Sequence, residues 1–264
     1  MKKYLLAFLI TLLPIPAFSA FDHSHAQWDT LTKKHVAWLP GGHASQADYK
    51  GFQSDRQAFK AYLEGASAVN QADYDGWTKS QKLAFLINAY NAFTVELILT
   101  AYPDLKSIKD LGSLLKSPWK KKFFVLLGKE RSLDDIEQGM IRAPGSFDDP
   151  RIHMAVNCAS IGCPALRDEA YVADKLDAQL ENGVVRFLSD HSRNRFNPQS
   201  GRLEISKIFD WYAKDFAARA ASVESWLSAY ADRLADDPRH QQVIREKKAK
   251  LEYLDYDWTL NDRK

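Results

Sequence analysis

Both cysteines of the chain lie in one short segment, HMAVNCASIGCP (residues 153–164), five positions apart and just downstream of a histidine. Three chemistries suit that grouping. A thiolate with a base nearby is a nucleophile, provided something lowers its pKa. Two thiols this close can also form a bridge, or cycle between dithiol and disulfide. A Cys158–Cys163 bridge closes so short a loop that chain entropy returns only about 2 kcal/mol. That is a weak structural motive in a chain long enough for a full-sized core. The spacing is not Cys-x-x-Cys, and no second pair or His-x-x-x-His completes a zinc site, so no metal is expected.

If the segment is catalytic, Cys158 or Cys163 is the nucleophile and His153 the nearest base. The alternation of RIHMAVNC (151–158) predicts a strand. Met154, Val156 and Cys158 would then share one face, with His153, Ala155 and Asn157 on the other. A bulge would have to turn Cys158 around. Cys163, past Gly162 and followed by Pro164, could swing to the His153 side. Asn157, Ser160 and the loop amides are candidate oxyanion donors. Asp257 is a candidate to orient the base, and a local turn bond is an equal reading of that residue.

These groups need elements to hold them. The clearest is TKSQKLAFLINAYNAFTVELILTA (78–101), capped by Thr78 or Ser80, followed by Pro103 and apolar on nearly every face. It should be a central buried helix. Its interior carries Asn88 and Asn91 on one face, which either bind neighbouring backbone or serve a site. Residues 26–38 and 54–65 predict helices, and 47–52 a short extended piece or turn. Residues 121–133 predict two strands around Gly128, followed by a helix capped by Ser132 that carries Glu137, whose bland role is helix-end electrostatics. Residues 171–190, 206–216, 222–234 and 236–247 read as helical, 194–206 as a hairpin and 250–261 as a closing strand. The aromatics of 207–230 read as core packing. The fold class expected is α+β: a helix-rich single domain with a buried central helix packed on a small, mainly antiparallel sheet.

Residues 1–19 combine Lys2 and Lys3, an apolar run from Tyr4 to Leu13 and small residues at Ala17 and Ser19. This is the pattern of a cleavable signal peptide, too short to span a bilayer. It predicts a domain over 20–264, periplasmic or secreted, with no transmembrane segment. The chain has 36 Lys+Arg and 34 Asp+Glu, and residues 1–19 take two lysines and no acids, so the remainder is formally neutral. That argues against a nucleic-acid partner. No cofactor is expected, and the ligand is an unidentified small molecule or peptide. His23 and His25 fall in what reads as an unstructured terminus. His35, His43, His191 and His240 read as surface residues.

LINAYNAFTV (86–95), SLDDIEQGMIR (132–142), DPRIHMAVNCASIGCPAL (149–166) and YDWTLN (256–261) together resemble the family called domain of unknown function 547. ADYKGF (47–52) is similar to that family's opening turn, so the resemblance runs from about 47 to 261. It implies no particular activity. It marks positions: Asn88, Tyr90, Asn91, Glu137, Arg151, His153, Asn157, Cys158, Cys163, Tyr256, Asp257 and Trp258. A helix packed on a sheet with Cys, His and Asp or Asn converging is also the plan of papain-like and transglutaminase-like enzymes, an analogy of fold alone. In those enzymes the cysteine opens the central helix, and here that helix has none. The expected function is a thiol-dependent hydrolase or acyltransferase. The alternatives are a non-enzymatic envelope binding module with a structural disulfide, or a thiol redox protein.

Overall fold

The computed structural model describes residues 20–113 and 116–263. The signal sequence expected over 1–19 lies outside the described residues.

The helix Lys79–Leu99 organises the molecule. Thr78 opens it with a capping box, its side chain accepting from the Gln81 amide while the Gln81 side chain returns to the Thr78 amide. From Leu83 onward nearly every side chain is buried, so the helix has no solvent face through most of its length. Among the described residues this is the one helix long and apolar enough to cross a membrane, and 89% of its apolar window is buried inside the protein. It is a core helix.

The strands are short. β1 (Val36–Trp38) pairs antiparallel with β2 (Ser45–Ala47), and β3 (Phe124–Leu126) with β4 (Lys129–Arg131). β5 (Arg195–Asn197) pairs antiparallel with β6 (Arg202–Ser206), and β6 runs parallel to β7 (Lys250–Leu254). The expected α+β class, helical with small and mainly antiparallel sheets, is what the fold shows, with the strands divided among three sheets. The β3–β4 turn has positive φ at both Leu127 (52°) and Gly128 (71°), the geometry that matches a two-residue hairpin to strand twist.

Two buried apolar clusters fill the interior. One gathers around Lys79–Leu99 and includes Ile152, Ala155, Val156 and Leu260. The other gathers Val184, Phe187, Phe209, Phe216 and Trp226, and includes Met154. The segment 152–156 thus contributes to both cores and lies along their seam.

Several local expectations need correction. Residues 151–158 are not a strand: Pro150–Met154 form a 3-10 turn, with Pro150 at its start and the Asp149 side chain accepting from the Arg151 amide. A proline that opens a turn and an acidic cap outweighed the alternating pattern. The closing strand stops at Leu254, so Asp257 lies in irregular chain. Residues 49–54 are helical, begun by Asp48, which accepts from the Gly51 amide. The terminus at 21–25 is ordered. Phe21 stacks on Trp77, and His25 is buried with Nδ1 2.9 Å from the Tyr62 hydroxyl. His35 is buried as well, its Nε2 2.7 Å from Asp55.

Candidate active site

The cysteine segment is a loop clamped from three sides. From the central helix, the Asn91 side chain donates to the Ala155 carbonyl (2.9 Å) and accepts from the Asn157 amide (2.8 Å). From within the loop, Asn157 donates to the Pro164 carbonyl (2.7 Å) and accepts from the Ala159 amide (2.9 Å). From the C-terminal segment, the Asp257 carbonyl accepts from the Gly162 amide, the Thr259 carbonyl accepts from the Ile161 amide, and Asn261 donates its amide to the Ala159 carbonyl. The Gly162–Asp257 contact is so close that a Cβ on Gly162 would lie 3.0 Å from the Asp257 backbone and from the Tyr256 ring.

Within this clamp Ala159 adopts φ 60°, a left-handed conformation that costs a non-glycine residue about 1–2 kcal/mol. The strain falls on the residue after Cys158 and turns the chain sharply there, so no strand-face argument applies to the two sulfurs. They stand 2.9 Å apart as two free thiols. A disulfide would bring them to about 2.05 Å, so the expected bridge is not formed in this structure.

Cys158 is half-buried and surrounded by donors. Its sulfur lies 2.9 Å from that of Cys163, 3.2 Å from the Ser160 hydroxyl and 3.1 Å from the Tyr256 hydroxyl. Tyr256 and Ser160 also meet at 3.0 Å. The Cys163 thiol, foremost, holds the Cys158 pKa below its ordinary value; burial works upward, and the Ser160 and Tyr256 hydroxyls reinforce the lowering. Burial pushes the Cys163 thiol well up, and its donation to Cys158 adds to that. Cys158 is therefore the more acidic thiol of the pair.

His153 is 2% exposed. Its Nε2 lies 2.8 Å from Asp215 Oδ2, and its ring stacks on Tyr212 with centroids 3.8 Å apart. Asp215 is also gripped by Arg142, whose Nε lies 2.6 Å from Oδ2 and Nη2 3.0 Å from Oδ1. Burial works against the Asp215 carboxylate, but the His153 and Arg142 hydrogen bonds outweigh it and hold the pKa well below the usual range. Burial also pushes the His153 pKa down, against the pull of Asp215. The ring is thus neutral, with its proton on Nε2 facing the carboxylate. Its Nδ1 is a buried lone pair without a hydrogen-bond partner among the described residues.

His153, Cys158 and Cys163 line one cleft of about 270 Å³. Glu137, Tyr90, Trp119, Trp211, Tyr256 and Trp258 complete much of its wall. Glu137 opens a π-helical turn, Glu137–Ile141, and accepts from the Tyr212 hydroxyl at 2.6 Å. Such turns recur at functional sites because the wider coil aims a side chain out of the regular helical track. The volume suits a small group, not a whole peptide. Among the described residues no three His, Cys, Asp or Glu side chains are grouped to hold a metal.

The expected site residues divide in two. Cys158, Cys163, His153, Tyr90 and Glu137 converge on the cleft. Asn91 and Asn157 shape the loop, with their amides spent on backbone, so Asn157 is not an oxyanion donor. Asn88 binds both backbone groups of Tyr171, at 2.7 and 2.9 Å. Arg151 pairs with Asp149, Asp177 and Glu181 and ties the 3-10 turn to the helix Leu176–Leu188. Asp257 does not orient His153: its carboxylate accepts from the Thr259 amide at 2.8 Å, and Asp215 holds the histidine instead. Asp215, Tyr212 and Trp211 come from FDWYAKDF, read from sequence as core. The signal there was a run in which aromatics alternate with acids, too polar for a plain core helix.

The family model for a protein of unknown function, DUF547, matches residues 74–188, which hold the central helix, the Glu137 turn and the cysteine loop, while ADYKGF and YDWTLN lie outside it. No curated protein matches the chain. No solved structure matches it. Over residues 74–188, then, the chain is similar to the DUF547 family, which is described only as a protein of unknown function.

Proposed function

We propose that this protein is a thiol-dependent hydrolase or acyltransferase acting on a small acyl group. The observation that carries this reading is the Cys158 sulfur, with three hydrogen-bonding partners within 3.2 Å, in a cleft it shares with a neutral histidine held by a carboxylate. Cys158 gives its proton across the cleft to His153 Nδ1, and the thiolate attacks the acyl carbon. A carbon–sulfur bond forms, the bond to the leaving group breaks, and His153 returns the proton to that group. Water or another acceptor then attacks the thioester, giving a proton to His153 as the carbon–sulfur bond breaks. Asp215 steadies the imidazolium at Nε2 throughout. Tyr256 and Ser160 are the hydroxyls beside the sulfur and take the oxyanion role first given to Asn157.

The test is acylation by p-nitrophenyl acetate, followed by intact mass and peptide mapping. The reading expects a burst of p-nitrophenol, an acetyl group on Cys158, and loss of both in Cys158→Ser. His153→Gln should slow release of the acetyl group. Acetylation that is absent, or spread over lysines, refutes the reading.

The 2.9 Å sulfur–sulfur approach favours a second reading, in which the pair cycles to a disulfide. A pair that stays reduced in oxidised glutathione until the protein unfolds would rule that out.

A further inference from the structure

The charged residues lining the cleft beside Cys158 are acidic. Asp134 and Glu137 line it, and no lysine or arginine does. Asp134 makes no ion pair or side-chain hydrogen bond among the described residues. Its position in the first turn of the helix Leu133–Ile136 accounts for the charge without cancelling it. Glu137 is 6% exposed, accepts from Tyr212 and Gln138, and forms no ion pair either. The Arg142 guanidinium, 4.7 Å over the Tyr212 ring of the cleft, is bound to Asp215.

The other wall is aromatic. Trp211 and Trp258 stack with centroids 5.6 Å apart, Tyr256 lies 4.5 Å from Trp258, and Trp119 packs edge-on to Trp258 at 5.7 Å. Trp211 is 45% exposed. Three indoles and a phenol gathered at one opening offer ring faces to a cation. The chain already uses one of them: the Lys109 ammonium sits 3.8 Å over the Trp258 ring. His153 lines the same cleft, and its buried Nδ1 has no hydrogen-bond partner among the described residues.

We infer that the group bound in this cleft is a cationic amine, an aminoalkyl chain whose ammonium lies between the Trp211–Trp258–Tyr256 wall and the Asp134 and Glu137 carboxylates. The inference deepens the acyl-transfer reading and rests on it for the step from bound group to substrate. A neutral His153 does not repel such a group. The volume of about 270 Å³ admits a short alkylammonium.

The test uses three probes of like size: n-butylammonium, 1-pentanol and pentanoate. Each is titrated against the full chain by tryptophan fluorescence, and by protection of Cys158 from iodoacetamide. Butylammonium should saturate at millimolar levels, with at least about tenfold tighter binding than the other two. Asp134→Asn should weaken it about threefold or more, and Trp258→Ala by a similar factor, with Trp258→Phe restoring part of the loss. Urea midpoints confirm that each variant folds. Equal binding of butylammonium and pentanol, or tighter pentanoate, overturns the inference. Repeating the fluorescence titration on Cys158→Ser separates the two claims. Amine binding without Cys158 acylation sinks the acyl-transfer reading alone, and acylation without amine preference sinks the amine alone.

Discussion

Asn91 is the residue through which the core helix dictates the shape of the thiol loop, and its removal tests that dependence. Asn91→Ala deletes a donor to the Ala155 carbonyl and an acceptor for the Asn157 amide, at 2.9 and 2.8 Å. Asn91, Ala155 and Asn157 are 2, 2 and 3% exposed, so water does not replace the lost partners. Each orphaned backbone group costs about 1–3 kcal/mol. With a small cavity added, the expected loss is about 4 kcal/mol, or roughly 10 °C in melting temperature for a chain of this size. Urea and thermal unfolding read that loss. Asn88→Ala is the control, because Asn88 makes the same two kinds of bond to Tyr171, outside the loop. Its stability loss should be similar. The two variants should part company in the iodoacetamide reactivity of Cys158, which Asn91→Ala alters and Asn88→Ala leaves as it was. A stability loss under about 1 kcal/mol in Asn91→Ala, or equal effects of both variants on Cys158, would refute the reasoning.

Donors around Cys158 set its thiolate character, so Cys163→Ala and Tyr256→Phe should each slow its alkylation at neutral pH, by roughly three- to tenfold for the lost tyrosine donor. In both the pH–rate profile moves upward; an unmoved profile shows that the donors do not tune the thiol. Burial lowers the His25 pKa to about 4, against the ordinary 6.5. The unfolded chain then takes up the proton first, so stability is lost as pH falls through 6.5 and levels off below about 4. The His25 share is roughly 3 kcal/mol. His25→Gln should flatten that part of the urea-midpoint profile between pH 7 and 4.5, and an equally steep profile would locate the acid sensitivity elsewhere.

The local signals that the chain carries were legible where a single element decides them. Thr78 announces the start of the core helix, Ser132 the cap before Glu137, and Gly128 and Gly201 the hairpin turns. The convergence of Cys158, Cys163 and His153 on one cleft was legible as a grouping, because two thiols and a histidine lie in one short stretch. The strand assigned to 151–158 failed because Pro150 and the Asp149 cap turn the chain into a 3-10 turn there. Met154 enters one cluster while Ile152, Ala155 and Val156 enter the other, so the apolar residues of the segment serve two cores and not the faces of a sheet.

By itself, then, the sequence determined which groups could react and which helix would be buried, since both follow from residue type and spacing along a few turns of chain. Only the tertiary structure decided who partners whom. Asp215 reaches His153 across 62 positions, and Tyr256 reaches Cys158 across 98. Asp257, the carboxylate offered as a partner for the histidine or as a local turn bond, accepts from the Thr259 amide. The physical reason is that these contacts are set where two separately packed cores meet. Which side chains line that seam depends on the docking of whole elements, and no local periodicity encodes it.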